Sequence, residues 1–446
     1  MLVVAVVALS TALAIALMPT HTRVIAAGAI ATSASAAPDA AAIERGRYLA
    51  VAADCTACHT APGGKAFAGG LPIGSPIGAI YSTNITPDKE SGIGKFTLDD
   101  FDRAVRHGID DKGVTLYPAM PYPSYAVMTD EDVAALYVYF MHGVEPAASA
   151  EYANAIPWPL SIRWPLALWR KLFAPAADAP AFNASRYSDP EVARGAYLVE
   201  GPGHCGSCHT PRAVTLQEKS LDDSSNTFLS GGQRIEGWVA VNLRGNPGDG
   251  LGDWSKEDIV ATLRSARNPT QAVVGAPMSD VVVHSTQHMN DADLAAIAAY
   301  LKTLAPSPGS SAKFAANPAT AAALAKGNEA NRGAEVYDDN CAACHRTDGE
   351  GSPKALPKIA GNSTVLADDP ESLIRLVLVG SSLPGTAAAP SPLGMPGFAW
   401  RLSNDEVAQL LTFVRSSWGN QASSVSAGQV GRVRGSLNAA PVHASN

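Results

Sequence analysis

The sequence predicts an all-α chain of three small helical domains in tandem, joined by Pro/Ala-rich linkers. Three observations support this. A short helical stretch recurs at Glu44-Arg45-Gly46-Arg47-Tyr48-Leu49, Ala193-Arg194-Gly195-Ala196-Tyr197-Leu198 and Asn331-Arg332-Gly333-Ala334-Glu335-Val336-Tyr337. Each copy is followed by the same five-residue cysteine unit and a Gly/Pro-rich loop. Each repeat then closes on an amphipathic helix with a start signature.

The closing helices begin at Thr129-Asp130-Glu131-Asp132, Asn290-Asp291-Ala292-Asp293 and Ser403-Asn404-Asp405-Glu406. An N-cap residue with an acid three positions later satisfies the free N–H groups of a helix start. Apolar residues then recur at helical spacing, as in Val133, Leu136, Tyr137 and Phe140, or Leu294, Ile297, Tyr300 and Leu301. The first two repeats share a further helix start, at Phe96-Thr97-Leu98-Asp99-Asp100-Phe101 and Trp254-Ser255-Lys256-Glu257-Asp258-Ile259. The predicted domains are 40–146, 188–307 and 326–420, separated by a Trp/Pro-rich linker at 147–187 and a second linker at 308–325. Residues 421–446 read as a polar tail.

All six cysteines fall in three C-x-x-C-H units: Cys55-Thr56-Ala57-Cys58-His59, Cys205-Gly206-Ser207-Cys208-His209 and Cys341-Ala342-Ala343-Cys344-His345. Such a unit is a c-type haem attachment site. The thiols bond to the haem vinyl groups, and the His supplies one axial nitrogen to the iron. A thioredoxin-like motif needs no following His and sits in a βαβ pattern, which is not found. Zinc would require tetrahedral four-ligand sets, into which three separate units divide awkwardly. Disulfides would leave the three histidines unexplained. The sequence thus predicts three covalently bound haem c, which supply apolar core that domains this small otherwise struggle to build.

Cytochromes c commonly complete the iron with Met. Met120, Met278 and Met395 read as lying in Pro-rich loops ahead of the last helix of each repeat, 61, 69 and 50 residues beyond His59, His209 and His345. Pro restricts the backbone around them, which helps hold a weak thioether ligand. The alternative is that these methionines only fill gaps. Met128 and Met289 directly precede helix caps and read as hydrophobic staples, with Leu402 at that place in the third repeat. Met141 lies within the closing helix of the first domain. His284 and His288 offer a bis-His alternative in the second domain, while His107, His142 and His204 read as loop or helix-end residues.

The chain is 46% hydrophobic and 17% charged, a globular balance, and its formal net charge is −8. With no basic stripe, nucleic acid is not expected as a partner. No nucleotide-binding glycine fingerprint, catalytic triad or flavin motif is found. Leu2 to Met18 is almost wholly apolar, and Ala34-Ser35-Ala36 offers small residues for cleavage, so 1–37 reads as an export signal. Its removal takes the net charge from −8 to −9 by loss of Arg23.

With these residues in hand, the chain resembles the three-haem cytochrome c subunit of bacterial membrane-bound dehydrogenases, the alcohol, gluconate, sorbitol, fructose and glucose dehydrogenase type. The resemblance covers about residues 42–418. It rests on the three motifs at this spacing, on Tyr81-Ser82-Thr83-Asn84-Ile85-Thr86-Pro87-Asp88 and on Arg163-Trp164-Pro165-Leu166. Cys208-His209-Thr210-Pro211-Arg212 and Met278-Ser279-Asp280-Val281-Val282 add to it. It implies class-I-like cytochrome c domains with His59/Met120, His209/Met278 and His345/Met395 as axial pairs. It also implies an electron-transfer subunit with no catalytic residues of its own. Electrons would come from a catalytic dehydrogenase subunit containing flavin or pyrroloquinoline quinone. They would pass to ubiquinone on the periplasmic side of the cytoplasmic membrane. The chain departs from several relatives in its small, polar segment Asn420 to Asn446, where they carry a hydrophobic or amphipathic anchor.

Between the first two domains, Ile156 to Phe173 collects Trp158, Trp164, Trp169, Arg163 and Arg170. Trp and Arg are enriched at binding hot spots. The same residues would also serve to cover a haem edge or cement two domains. Arg212 reads either as a haem-propionate partner or as a solvated loop residue. A multihaem peroxidase-like enzyme, or the cytochrome subunit of another respiratory complex, is the alternative function.

Overall fold

The structure, a computed structural model, describes residues 11, 13–16, 25, 39–268, 270, 273–307 and 313–439. The expected export signal lies almost wholly outside these, as do residues 440–446 of the expected tail. The chain forms two compact units, Met1–Ser207 and Cys208–Asn446. The division falls inside the second C-x-x-C-H unit.

In the first unit, α1 (Ala40–Ala52) leads into the short α2 (Cys55–His59), then a hairpin of β1 (Pro72–Ser75) and β2 (Gly78–Tyr81). Next come α3 (Leu98–His107), the turn α4 (Tyr122–Tyr125) and the closing α5 (Asp130–His142). The Trp-rich segment supplies α6 (Trp164–Phe173), and α7 (Pro190–Glu200) precedes α8 (Gly206–His209), within which the division falls. The first core gathers Leu49, Phe67, Phe101, Met128, Val133, Leu136 and Phe140. Helix α1 crosses α5 at Gly46, where a Cβ would lie 2.0 Å from the Ala135 carbonyl oxygen. That close approach explains the Gly of the first Arg-Gly pair.

In the second unit, β3 (Arg234–Ile235) and β4 (Trp238–Val239) form a hairpin ahead of α9 (Lys256–Ser265), α10 (Met278–His284) and α11 (Asp291–Thr303). The third repeat begins with α12 (Ala319–Leu324), α13 (Arg332–Asn340) and α14 (Ala342–His345). It continues through α15 (Ser363–Leu366), α16 (Glu371–Val379) and a hairpin of β5 (Ser381–Leu383) and β6 (Leu393–Met395). It ends on α17 (Asn404–Ser416) and α18 (Ala427–Ala439). Helix α13 meets α17 as α1 meets α5: a Cβ on Gly333 would lie 2.4 Å from the Gln409 carbonyl oxygen.

The helix starts read from sequence are present. Thr129, Asn290 and Ser403 each accept from the N–H three residues on, and Thr97, Ser255 and Ser403 form full capping boxes. Met128, Met289 and Leu402, just ahead of the closing helices, are buried. An arginine pins each of these positions. Arg106 donates to the Met128 carbonyl and pairs with Asp130. Arg264 does the same for Met289 and Asp291. Arg434 donates to the Leu402 carbonyl and to Asn404.

The fold is helix-rich, compatible with the expected all-α class, and among the described residues the loops add three antiparallel hairpins. They form where extended loop backbone must pair its own polar groups. In β3–β4 both turn residues have positive φ, Glu236 at 51° and Gly237 at 79°, the backbone of a two-residue hairpin turn. The expected polar tail is in part a docked helix: Val430 and Val433 of α18 are buried in the third core with Val425. Their spacing is helical, but small polar neighbours hide it in the sequence.

Candidate haem attachment sites

Each C-x-x-C-H unit includes a single helical turn. The first turn holds both Cys55 and Cys58, three apart and so on one face, while the second and third turns begin one residue after Cys205 and Cys341. Burial pushes the Cys55 and Cys341 thiols up to about 12.

The three histidines are held alike. His59 Nδ1 donates to the Thr83 carbonyl at 2.7 Å, His209 to Val241 at 2.8 Å and His345 to Pro357 at 3.0 Å. A carbonyl only accepts, so the proton sits on Nδ1 and Nε2 keeps its lone pair. Burial also holds all three imidazoles below the usual histidine range, in the neutral form that binds a metal. A ligating His whose other nitrogen donates to a carbonyl is the usual arrangement at a metal centre.

A glycine completes each clamp. Gly69, Gly231 and Gly351 donate to the carbonyls of His59, His209 and His345 at 2.8, 2.7 and 3.2 Å. All three have positive φ, at 71°, 75° and 57°. A Cβ would lie 2.4 Å from Thr83 C, 2.8 Å from Val241 C and 2.7 Å from the Pro357 oxygen. Glycine alone fits there, both in backbone conformation and in space. The donor set and clamp fit covalently attached haem at all three units.

The methionines differ in setting. Met120 packs against the first core, as does Cys55. Arg163 braces its loop by stacking 4.1 Å over the Tyr117 ring and donating to the Thr115 carbonyl. Met395 ends β6 and packs against the third core together with Cys341. Met278 is the first residue of α10, not part of a loop. Within the second unit, Val282 of that helix joins Leu383 and Leu393 of the β5–β6 hairpin in one small apolar cluster. The segments carrying Met278 and Met395 therefore brace one another.

Several residues have simpler roles. His284 and His288 are exposed, and His288 donates to the Val283 carbonyl, so neither faces a core. His142 is exposed and His107 is buried, both at helix ends. Arg212 donates to the Leu216 carbonyl within its own loop. Of the Trp-rich segment, Ile156 and Arg170 are buried and Trp164 and Trp169 half-buried, whereas Trp158 is 79% exposed and Leu172 63%.

The clamp carbonyls and glycines were not legible as site residues. One signal exists in the first two repeats: an Asn follows the carbonyl residue and accepts from the N–H two positions on. Asn84 does so for Thr86 and Asn242 for Arg244.

A cytochrome c family model matches residues 43–143, 192–305 and 330–418. The chain belongs to the cytochrome c family. It therefore carries covalently bound haem c. The cytochrome is 54% identical to the gluconate 2-dehydrogenase cytochrome c subunit of Pantoea cypripedii, over 88% of this chain and 89% of that one. It is 51% identical to the cytochrome c subunit of the quinone-type alcohol dehydrogenase of Gluconobacter oxydans (strain 621H), over 89% and 83% of the two chains. The fructose dehydrogenase cytochrome subunit of Gluconobacter japonicus is 38% identical over 88% and 82%.

Proposed function

We propose that this cytochrome is a tri-haem electron-transfer subunit of a dehydrogenase complex, with one haem on each C-x-x-C-H unit. The observation behind the count is the threefold repetition of the clamp, in which carbonyl, glycine and histidine recur at every unit. The cysteine pairs 55/58, 205/208 and 341/344 hold the haems in three tandem class-I-like domains. His59/Met120, His209/Met278 and His345/Met395 are the axial pairs. Iron held by His and Met exchanges one electron without losing either ligand. The chain's own residues fix the imidazoles, exclude water from the cores and brace the methionine segments.

Oxidising an alcohol, sugar or sugar acid removes two electrons, which a flavin or quinone cofactor can accept together and release singly. The proposed donor is accordingly a catalytic subunit holding one of these, and the proposed acceptor is ubiquinone. The relatives' names, as subunits of gluconate, alcohol and fructose dehydrogenases, support this partnership. The proposed location is the periplasmic face of the cytoplasmic membrane, reached through the apolar N-terminal segment. Among the described residues no helix is long and apolar enough to cross a membrane. Exposed Trp158, Leu160 and Leu172 are the proposed contact to the partner or the membrane surface.

The test uses the isolated haem-loaded cytochrome. It should oxidise no alcohol, sugar or sugar acid. It should become reduced when the catalytic partner and its substrate are added, and should then be reoxidised by a quinone. Turnover of such a substrate by the cytochrome alone would overturn the reading.

A further inference from the structure

Ala53 lies two residues before Cys55, and its carbonyl accepts two side-chain donors. Tyr125 Oη donates to it at 3.0 Å and His204 Nε2 at 3.3 Å. The two rings meet edge-on, with centroids 5.7 Å apart and planes at 75°. His204 immediately precedes Cys205, and its backbone sits at φ 36°. A residue with a Cβ occupies that left-handed region only when its surroundings hold it there. Because the carbonyl can only accept, Nε2 carries the proton and the ring is fixed in one tautomer. All of these residues belong to the first unit.

In sequence His204 is one loop histidine among several. In space it closes the gap between two cysteines 150 residues apart. From Cys205 the connection runs through the His204 side chain, across one hydrogen bond to the Ala53 carbonyl, and along Asp54 to Cys55. Under the tri-haem function, on which the role of this connection rests, both ends are haem-bearing cysteines.

We propose that His204 is a positioning residue that ties the attachment turn of the second haem to that of the first, and that the bonded path through it carries the electron between them. Tunnelling decays more slowly through covalent and hydrogen bonds than across an unbonded gap. The step is complete within the protein: one iron goes from ferrous to ferric and the other from ferric to ferrous. No proton moves and no co-reactant is needed. Tyr125 holds the shared carbonyl from its other side, which keeps the crossing in register.

The test injects less than one electron per molecule into the full-length, haem-loaded protein by pulse radiolysis and follows redistribution among the haems. Three proteins are compared: the unaltered chain, His204→Phe and His204→Gln. Phe keeps the ring but cannot donate; Gln restores a donor. The expected result is that one intramolecular phase slows several-fold in His204→Phe, with all haem potentials unchanged, and recovers in His204→Gln. An unchanged rate in His204→Phe, or equal slowing in both variants, would overturn the proposal. If His204→Phe does not take up its haems, His204→Gln decides alone: a native rate supports the path and a slowed one contradicts it. Failure of the underlying function would appear instead in the unaltered protein, as missing haem or no reduction by the partner.

Discussion

An imidazole that donates from Nδ1 has its tautomer settled, and the nitrogen left over is the one a metal can use. Thr83, Val241 and Pro357 provide that acceptor through their backbones, so their side chains are free to differ. His107 is a contrasting case, a buried imidazole at the end of α3. Burial above all, then Arg106 and Arg170, presses it down to about 4. An unfolded histidine titrates near 6.5. Between those values the unfolded chain binds the extra proton, so the contribution of His107 to stability falls as pH drops from about 6.5 towards 4 and changes no further below that. The contribution is at most about 3 kcal/mol. The unfolding midpoint of His107→Asn should therefore vary less with pH across that window than that of the unaltered protein. An equal slope would show that another group sets it. At this scale the sequence made the cysteines and proximal histidines legible, because thioether chemistry prescribes side chains. The clamp carbonyls stayed hidden because a backbone acceptor prescribes none, and His204 stayed hidden because its partner is 151 residues away.

Among the elements, helix starts were the most legible, because caps such as Thr129, Asn290 and Ser403 are local chemistry. The hairpins and α18 were not, since short strands and a small-residue helix leave weak periodicity. Yet α18 makes a contact that the other repeats take from elsewhere. Arg106 and Arg264 come from helices ahead of the closing helix, whereas Arg434 comes from behind it. In the third repeat the arginine reaches the carbonyls of Ala399 and Leu402 and the Asn404 side chain, at 2.6, 2.7 and 2.8 Å. Removing a charged donor from such acceptors costs about 1–3 kcal/mol. Arg434→Ala should lower the unfolding free energy by that much, read as a lower urea midpoint at unchanged slope, with the haem spectra native. No change in midpoint would mean that α18 does not hold the third repeat together.

For the molecule as a whole, the Arg-Gly helix, the cysteine unit and the capped closing helix recur in order, and this made the tandem plan legible. Packing between repeats was not, because it depends on residues with no pattern of their own. In the second unit Arg234 reaches Asp369 and Glu371, and the Val239 N–H donates to Ser372, all across more than a hundred residues. Such contacts fix the second and third repeats against each other, and the Val282, Leu383 and Leu393 cluster does the same for their methionine segments. A chain of fixed redox centres is what a carrier of single electrons requires. The central claim is therefore a count: one covalent haem on each of three clamps. The most direct measurement is the intact mass of the denatured protein after expression with haem-attachment machinery. The account predicts the mass of the polypeptide plus three haems; a mass corresponding to two or fewer would contradict it.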